Sequence, residues 1–421
     1  MAERSDPYAD VMALLLGADA ARIVAPAAIA GSTIRSLSAR QVLFRPGSRV
    51  TVTYAATLEW SDGRTVDELV VATAERDGLP PGAATSSAGE VPVAVWRAPR
   101  DPLLPGLERA LDPGYAARLL NDAGVRARSA RIMLRAYRPG RRAVVELSPV
   151  QPEARKLVFT RGGGAGGLRA APAQEAPALY LKVLRPERAP EVAAVHKALL
   201  PHVPAPPCEL ADRSGILRLG LLRGDSLGSC LRRGRPRAPA PDELFELLDR
   251  LDDAGLGGES ESGSDARLRN HVRLLRAIVP EESGRLERLS EALGGAVQQP
   301  SVTIHGDFHE GNILVGDHGI SGLLDVDDAG PGERVEDLGT LIGRIWSLAH
   351  GRAGEAALRY AQDLLRRSDS IVDPAELRRR VGVALVGRGT GPFRNQLEGW
   401  RKMTRGRLEL AERWVSASRT S

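Results

Sequence analysis

The chain has 421 residues, of which 43% are hydrophobic and 26% charged, proportions that fit a folded protein and exclude a low-complexity or collagen-like one. Its 58 basic residues nearly balance 53 acidic ones, and five Trp, six Tyr and five Phe do not interleave with the basic residues as in a single-strand binder, so no nucleic-acid partner is expected. No apolar run reaches the ~18 residues of a membrane span, and Val11–Leu16 is too short for a signal sequence, so a cytoplasmic location with no membrane partner is expected.

The N-terminal segment predicts a short helix at Val11–Leu16. Strands follow at Gln41–Phe44, Val50–Trp60 and Val66–Ala74, rich in β-branched residues and broken by Arg45-Pro46-Gly47 and Ser61-Asp62-Gly63. A strand at Val91–Trp96 and a helix at Pro113–Asp122 complete an α+β unit. The strand, Arg-Pro-Gly turn and strand of residues 42–54 then return at residues 134–147, a pattern open to two readings: a duplicated β-lobe or two similar hairpins.

Strands are expected next at Arg131–Tyr137, Ala143–Leu147, Lys156–Phe159 and Ala178–Leu184, then a helix at Pro190–Leu200 and a strand at Gly215–Leu222. The remainder reads as helices at Pro241–Ala254, Ala266–Ile278, Ser283–Leu293, Ala353–Ser368, Pro374–Val386 and Gln396–Ala417. A β-rich lobe thus precedes a helical one. The two cysteines, Cys208 and Cys230, suggest neither a disulfide scaffold nor a metal site.

The segment Ser301–Trp346 carries the chemistry. A β-type run reaches His305-Gly306-Asp307-Phe308-His309-Glu310-Gly311-Asn312; a second run, Ile313–Val315, turns at Gly316–Gly319 and returns to Asp325-Val326-Asp327-Asp328. A hairpin between Ile313–Val315 and Ser321–Leu324 would set Asn312 beside Asp325. A carboxamide and a carboxylate are the hard oxygen donors that Mg²⁺ takes, with phosphates and water completing its shell. Asp307 would stay free to orient a hydroxyl and accept its proton.

Lys182 supports this reading. The chain has only four lysines, Lys156, Lys182, Lys197 and Lys402, and Lys182 lies within the apolar strand Leu179–Leu184. A buried charge needs a reason, and nucleotide phosphates supply one. Its carboxylate partner stays open; Glu191 lies close by, at the start of the following helix. The run Gly162–Gly167 formally contains GxGxxG but reads as a linker, so the turn Arg138–Arg142, with Arg141, is the candidate nucleotide-side loop.

His305–Asn312 and Leu324–Asp327 closely resemble the HGDxHxxN loop and following acidic segment of the aminoglycoside-phosphotransferase/choline-kinase family. One departure is Val326, where that family often has an aromatic residue. The resemblance implies an α+β, two-lobed protein-kinase-like fold with a β-rich N-lobe and a mostly helical C-lobe. Residues 126–222 would form the N-lobe and connector and residues 223–421 the C-lobe, preceded by a cap-like N-terminal unit at residues 1–125; maltokinase-like proteins are similar in carrying such a cap. It implies ATP and Mg²⁺ as cofactors, Asp307 as catalytic residue, Asn312 and Asp325 as metal ligands, and His305, Asp327 and Asp337 as structural support.

The expected activity is phosphoryl transfer to a hydroxyl of a small molecule; the alternative is a non-catalytic nucleotide-binding scaffold. From Gly351 onward fifteen Arg or Lys face eight Asp or Glu, which counts against a polycationic acceptor and suits a neutral polyol, sugar or nucleoside-like compound, or an anionic metabolite.

Overall fold

Two five-stranded antiparallel sheets occupy the first half of the chain. The computed structural model describes residues 6–150, 179–233, 238–256, 258 and 263–418. The strand expected at Lys156–Phe159 and the run Gly162–Gly167 lie outside these residues.

Helix α1 (Pro7–Leu16) begins where the Asp6 carboxylate accepts the Tyr8 N–H at 3.0 Å, and α2 (Ala20–Val24) follows. The first sheet contains β1 (Ser32–Arg45), β2 (Arg49–Trp60), β3 (Thr65–Glu75), β4 (Ala84–Ala88) and β5 (Val91–Arg97), in the order β1-β2-β3-β5-β4. After α3 (Gly106–Ala110) and α4 (Pro113–Asp122) come β6 (Ser129–Arg138), β7 (Arg142–Val150), β8 (Leu179–Leu184), α5 (Ala189–Leu199), β9 (Cys208–Asp212) and β10 (Ile216–Leu219). This second sheet runs β6-β7-β8-β10-β9.

Both sheets therefore order their strands first, second, third, fifth, fourth, which favours the duplicated lobe over two unrelated hairpins. Each opening hairpin closes on an arginine pair, Arg45 with Arg49 and Arg138 with Arg142, around a glycine of positive φ, Gly47 at 75° and Gly140 at 64°. The ladders also show where the copies diverge. Two pairs past the closing arginine, Val144 faces Lys182 in the second sheet, whereas Thr51 faces Thr73 in the first, with the hydroxyls 2.7 Å apart. Only the second copy carries a cation there.

The helices α3 and α4 share a core with the second sheet: Leu107, Tyr115, Ala116 and Leu120 pack among Val145, Leu147, Leu181 and Val183. A division at residues 125–126 would separate these helices from the sheet they cover. Strand β1 also touches two helices of the C-terminal half, α8 and α13.

That half contains β11 (Asp225–Ser226), α6 (Leu227–Arg233), α7 (Pro241–Asp252), α8 (Ser264–Ile278), α9 (Ser283–Leu293), β12 (Ser301–Ile304), β13 (Ile313–Gly316), β14 (Gly319–Leu323) and β15 (Gly330–Glu333). It ends with α10 (Arg334–Leu348), α11 (Gly354–Ser368), α12 (Pro374–Arg388), α13 (Gly391–Arg394) and α14 (Trp400–Ser418). The architecture is α+β, with a β-rich first part of two sheets and a mostly helical C-terminal half. No helix among the described residues is long and apolar enough to cross a membrane.

Helix α10 is the central pillar, with Leu338, Leu341, Ile342 and Ile345 fully buried. It approaches α12 so closely that a Cβ on Gly339 would lie 2.4 Å from the Arg380 Cβ. The contact seats buried Arg380 among three buried carboxylates: its Nε donates to Glu376 at 2.6 Å, one Nη to Glu336 at 3.2 Å, and the other Nη to Glu333.

Candidate active site

The catalytic-loop candidates are held by backbone and side-chain bonds that start from α10. In its first turn the Asp337 carboxylate accepts the backbone N–H of His305 at 2.7 Å and of Gly306 at 3.0 Å. Burial pushes this carboxyl above its ordinary range, while His305 and the two N–H donors pull against that rise.

His305 is itself fully buried. Its Nε2 donates to the Leu324 carbonyl at 2.9 Å and its Nδ1 accepts the Asp307 N–H at 3.2 Å, so one ring joins the Asp307 loop to the strand leading to Asp325. Asp337 and His305 thus both hydrogen-bond to the backbone around Asp307.

The expected hairpin forms between β13 and β14, with Ile313 opposite Leu323. The Asn312 carbonyl accepts the Leu324 N–H at 2.8 Å, which extends the pairing by one step and brings Asn312 next to Asp325. The Asn312 Nδ2 donates to the Asp307 carbonyl at 3.1 Å, leaving Oδ1 as the atom suited to a cation. Asp325 adopts a left-handed conformation, φ 56° and ψ 46°, uncommon for a residue with a Cβ.

Cations from the opposite lobe hold the Asp325 carboxylate. Arg142 grips it with two bonds, 2.7 Å to Oδ1 and 2.9 Å to Oδ2, and Lys182 Nζ reaches Oδ1 at 2.8 Å. Burial alone would raise this carboxyl; Lys182 and Arg142 outweigh burial and hold it well below the carboxylate range.

Lys182 also contacts Asp327 Oδ2 at 2.6 Å and is itself buried. Asp327 keeps its charge despite burial because His196 and Lys182 favour the ionised form. The candidate partner Glu191 is exposed and pairs with Arg188 at 2.8 Å. The side chain that the helix α5 does present is His196, 3.4 Å from Asp327 Oδ1 and 3.0 Å from the Pro206 carbonyl. No sequence signal distinguished it from an ordinary core histidine.

Strand alternation decides which arginine of the Arg138–Arg142 turn points towards Asp325. Arg142 and Val144 share a face of β7, and Lys182 lies directly opposite Val144, so Arg142 and Lys182 point the same way. Arg141 is exposed at the turn and senses Arg142, Arg49, Asp328 and Arg45, but makes no ion pair with Asp325. Arg142 is the residue that sequence reasoning passed over.

Asp307 is half-exposed, beside a cavity of about 480 Å³ walled by α8, α10, α12 and α13. His309 Nε2 lies 3.7 Å from Asp307 Oδ2 while its Nδ1 accepts the Gly311 N–H at 2.9 Å. Burial, reinforced by Arg344, lowers His309 from 6.5 to about 4, so the ring next to Asp307 is neutral at pH 7. Among the described residues no group of three or more His, Cys, Asp and Glu converges as a metal cluster. By donor chemistry, the Asn312 Oδ1 and the Asp325 carboxylate are hard oxygens of the kind that suit a cation completing its shell with phosphate and water, as Mg²⁺ does.

Residues 223–379 match the model of the phosphotransferase enzyme family. No curated protein matches the chain. Among solved structures it is similar to aminoglycoside phosphotransferase APH(4)-Ia, a thermostable mutant in ternary complex with AMP-PNP and hygromycin B. That likeness is at 12% identity and TM-score 0.46, covering 70% of this chain and 96% of that one. It is also similar to APH(2″)-IIa in complex with gentamicin, at 11% identity and TM-score 0.45, over 71% of this chain and 96% of that one. A choline/ethanolamine kinase family protein from Mesorhizobium loti matches at 18% identity and TM-score 0.40, over 58% of this chain and 88% of that one.

Proposed function

We propose that this protein is an ATP- and Mg²⁺-dependent kinase that transfers the γ-phosphoryl group to a hydroxyl of a small molecule. The observation that carries the proposal is the convergence of Asp307, Asn312 and Asp325 on one cleft, with Lys182 facing them from the other lobe. The match of residues 223–379 to the phosphotransferase enzyme family agrees with it.

In this reading Asn312 Oδ1 and the Asp325 carboxylate hold Mg²⁺, which when bound neutralises charge on the β- and γ-phosphates. Lys182, Arg142 and Arg141 supply positive charge to the phosphates from the N-lobe side. Asp307 accepts the hydroxyl proton as the acceptor oxygen bonds to the γ-phosphorus; the bond from that phosphorus to the bridging oxygen breaks, and ADP leaves with the electron pair. His309, neutral, lies beside that carboxylate at 3.7 Å. His305 and Asp337 fix the loop so that little reorganisation is needed at the moment of transfer.

A thermal-shift titration tests the nucleotide site. ATP should stabilise the wild type in a Mg²⁺-dependent way, and Asp325→Ala should remove that dependence. Asp307→Asn should keep the shift and lose turnover. Mg²⁺-dependent binding without product from any hydroxyl acceptor would instead favour a nucleotide-binding scaffold.

A further inference from the structure

The cavity beside Asp307 has a charge balance that bears on the acceptor. Four arginines line it besides buried Arg380, and they fall into two kinds. Arg267 donates to Glu336 at 2.6 Å, a carboxylate it shares with Arg380, and Arg344 donates to Glu310 at 3.0 Å, so each is paired with a carboxylate. Arg388 and Arg394 have no ion-pair partner among the described residues, and the buried Nε of Arg388 has no hydrogen-bond acceptor at all.

Burial, with Arg344 and Arg407 nearby, brings Arg388 down only to about 10, so it remains a cation at pH 7. Arg394 stands at the rim, within electrostatic reach of Asp307. His271, on α8 against Gly387, is lowered by burial, Arg394 and Arg267 to about 4 and adds no charge. The carboxylate left without a cation of its own is Asp307, needed for the proton. A buried guanidinium with an unused donor is costly unless something fills it, and an oxyanion does so with charge-assisted bonds. An ammonium group in the same space would meet two positive charges.

We propose that the phosphoryl acceptor carries an oxyanion, a phosphate or carboxylate, in addition to its reactive hydroxyl, and that Arg388 and Arg394 bind it. The inference rests on the kinase reading of Asp307 and adds the chemical class of the acceptor. The oxyanion is bound and unchanged; the hydroxyl proton passes to Asp307 as described, and the product is a phosphate ester that retains the original anion.

The test is calorimetric titration of the full chain with matched probes: glucose 6-phosphate against glucose, ribose 5-phosphate against ribose, glycerate against glycerol, and kanamycin as a cation. Each is run with Mg²⁺ and saturating AMP-PNP and again without nucleotide. At least one anionic member should bind tenfold or more tightly than its neutral partner, and the phosphate and carboxylate pairs distinguish the two oxyanions. Arg394→Gln, at the exposed rim where folding is not at stake, should weaken that binding roughly tenfold or more, while Arg394→Lys keeps most of it. Arg388→Gln should do the same.

Equal or tighter binding of neutral or cationic probes, no binding of any anionic probe, or indifference to Arg394→Gln would overturn the proposal. Failure of AMP-PNP to bind would count against the kinase reading alone, since the titration without nucleotide still decides whether these arginines hold an oxyanion.

Discussion

Arg142 and Asp325 lie 183 residues apart in the chain and are joined by two parallel hydrogen bonds of 2.7 and 2.9 Å across the cleft between the lobes. A bidentate guanidinium occupies the carboxylate oxygens that a cation would need. In the kinase reading proposed above, Arg142 competes with a metal for these oxygens, and a guanidinium displaced from Asp325 would be placed to meet phosphate.

Arg142→Gln should consequently lower the Mg²⁺ concentration that half-saturates the ATP-dependent thermal shift, by about threefold to tenfold, since a charge-assisted bond contributes about 1.5–3 kcal/mol and part of that is recovered by water. ATP affinity at saturating Mg²⁺ should fall in the same variant. An unchanged Mg²⁺ midpoint would show that the pair does not compete with the metal.

Arg380→Met should be among the most destabilising single changes in the molecule. It leaves Glu333, Glu336 and Glu376, all buried, without their shared cation, and breaking such a buried network costs about 3–5 kcal/mol. Chemical denaturation should show a lower midpoint, and replacing all three glutamates by Gln together with Arg380→Met should recover much of the loss.

Gly339→Ala tests the spacing of the two helices that frame the cavity. The new methyl would lie 2.4 Å from the Arg380 Cβ, so α10 and α12 must separate. Overpacking of this kind costs about 1–3 kcal/mol. Because Asp337 is two residues earlier on α10, turnover should fall further than the melting temperature alone would predict.

Stability should fall in two stages on acidification. His271 and His309 have folded values near 4 against an ordinary 6.5, so their contribution is complete above about pH 6.5 and is lost as pH falls towards 4. Each contributes at most about 3 kcal/mol. Asp325 and Asp327 are depressed below the usual carboxylate range, so theirs is present above about pH 4 and is lost below it. Denaturation midpoints from pH 8 to 3 should show both stages; His271→Gln should flatten the first and Asp325→Asn the second.

What the sequence revealed was what lies close together along the chain. The β13–β14 hairpin sets Asn312 beside Asp325 through a turn of a few residues, and its strands and turn signals are all local. Helix Pro113–Asp122 was legible to the residue because Asp112 caps it, accepting the Tyr115 N–H, with Pro113 in its first turn. The Lys182–Asp325 contact was not, because it depends on how two lobes close. Arg142 rather than Arg141 enters the cleft through the hairpin register, and composition says nothing about register. His196 was hidden for the same reason: its role exists only where α5 packs over Asp327. Strand β4 (Ala84–Ala88), with Thr85 its one β-branched residue among Ala and Ser, left too weak a strand signal to read.

The contacts of β1 with α8 and α13 bear on how this protein can be dissected. Those helices carry Arg267 and Arg394, and Arg45 and Arg49 of the first hairpin act electrostatically on Arg141 of the second. The leading sheet thus packs against two helices that wall the cavity and is not an appendage beside them. A fragment trimmed to the matched residues 223–379 would lose both sheets and, with α12 cut short and α13 removed, the cavity's two unpaired arginines. Modularity in this chain ends where its family resemblance begins.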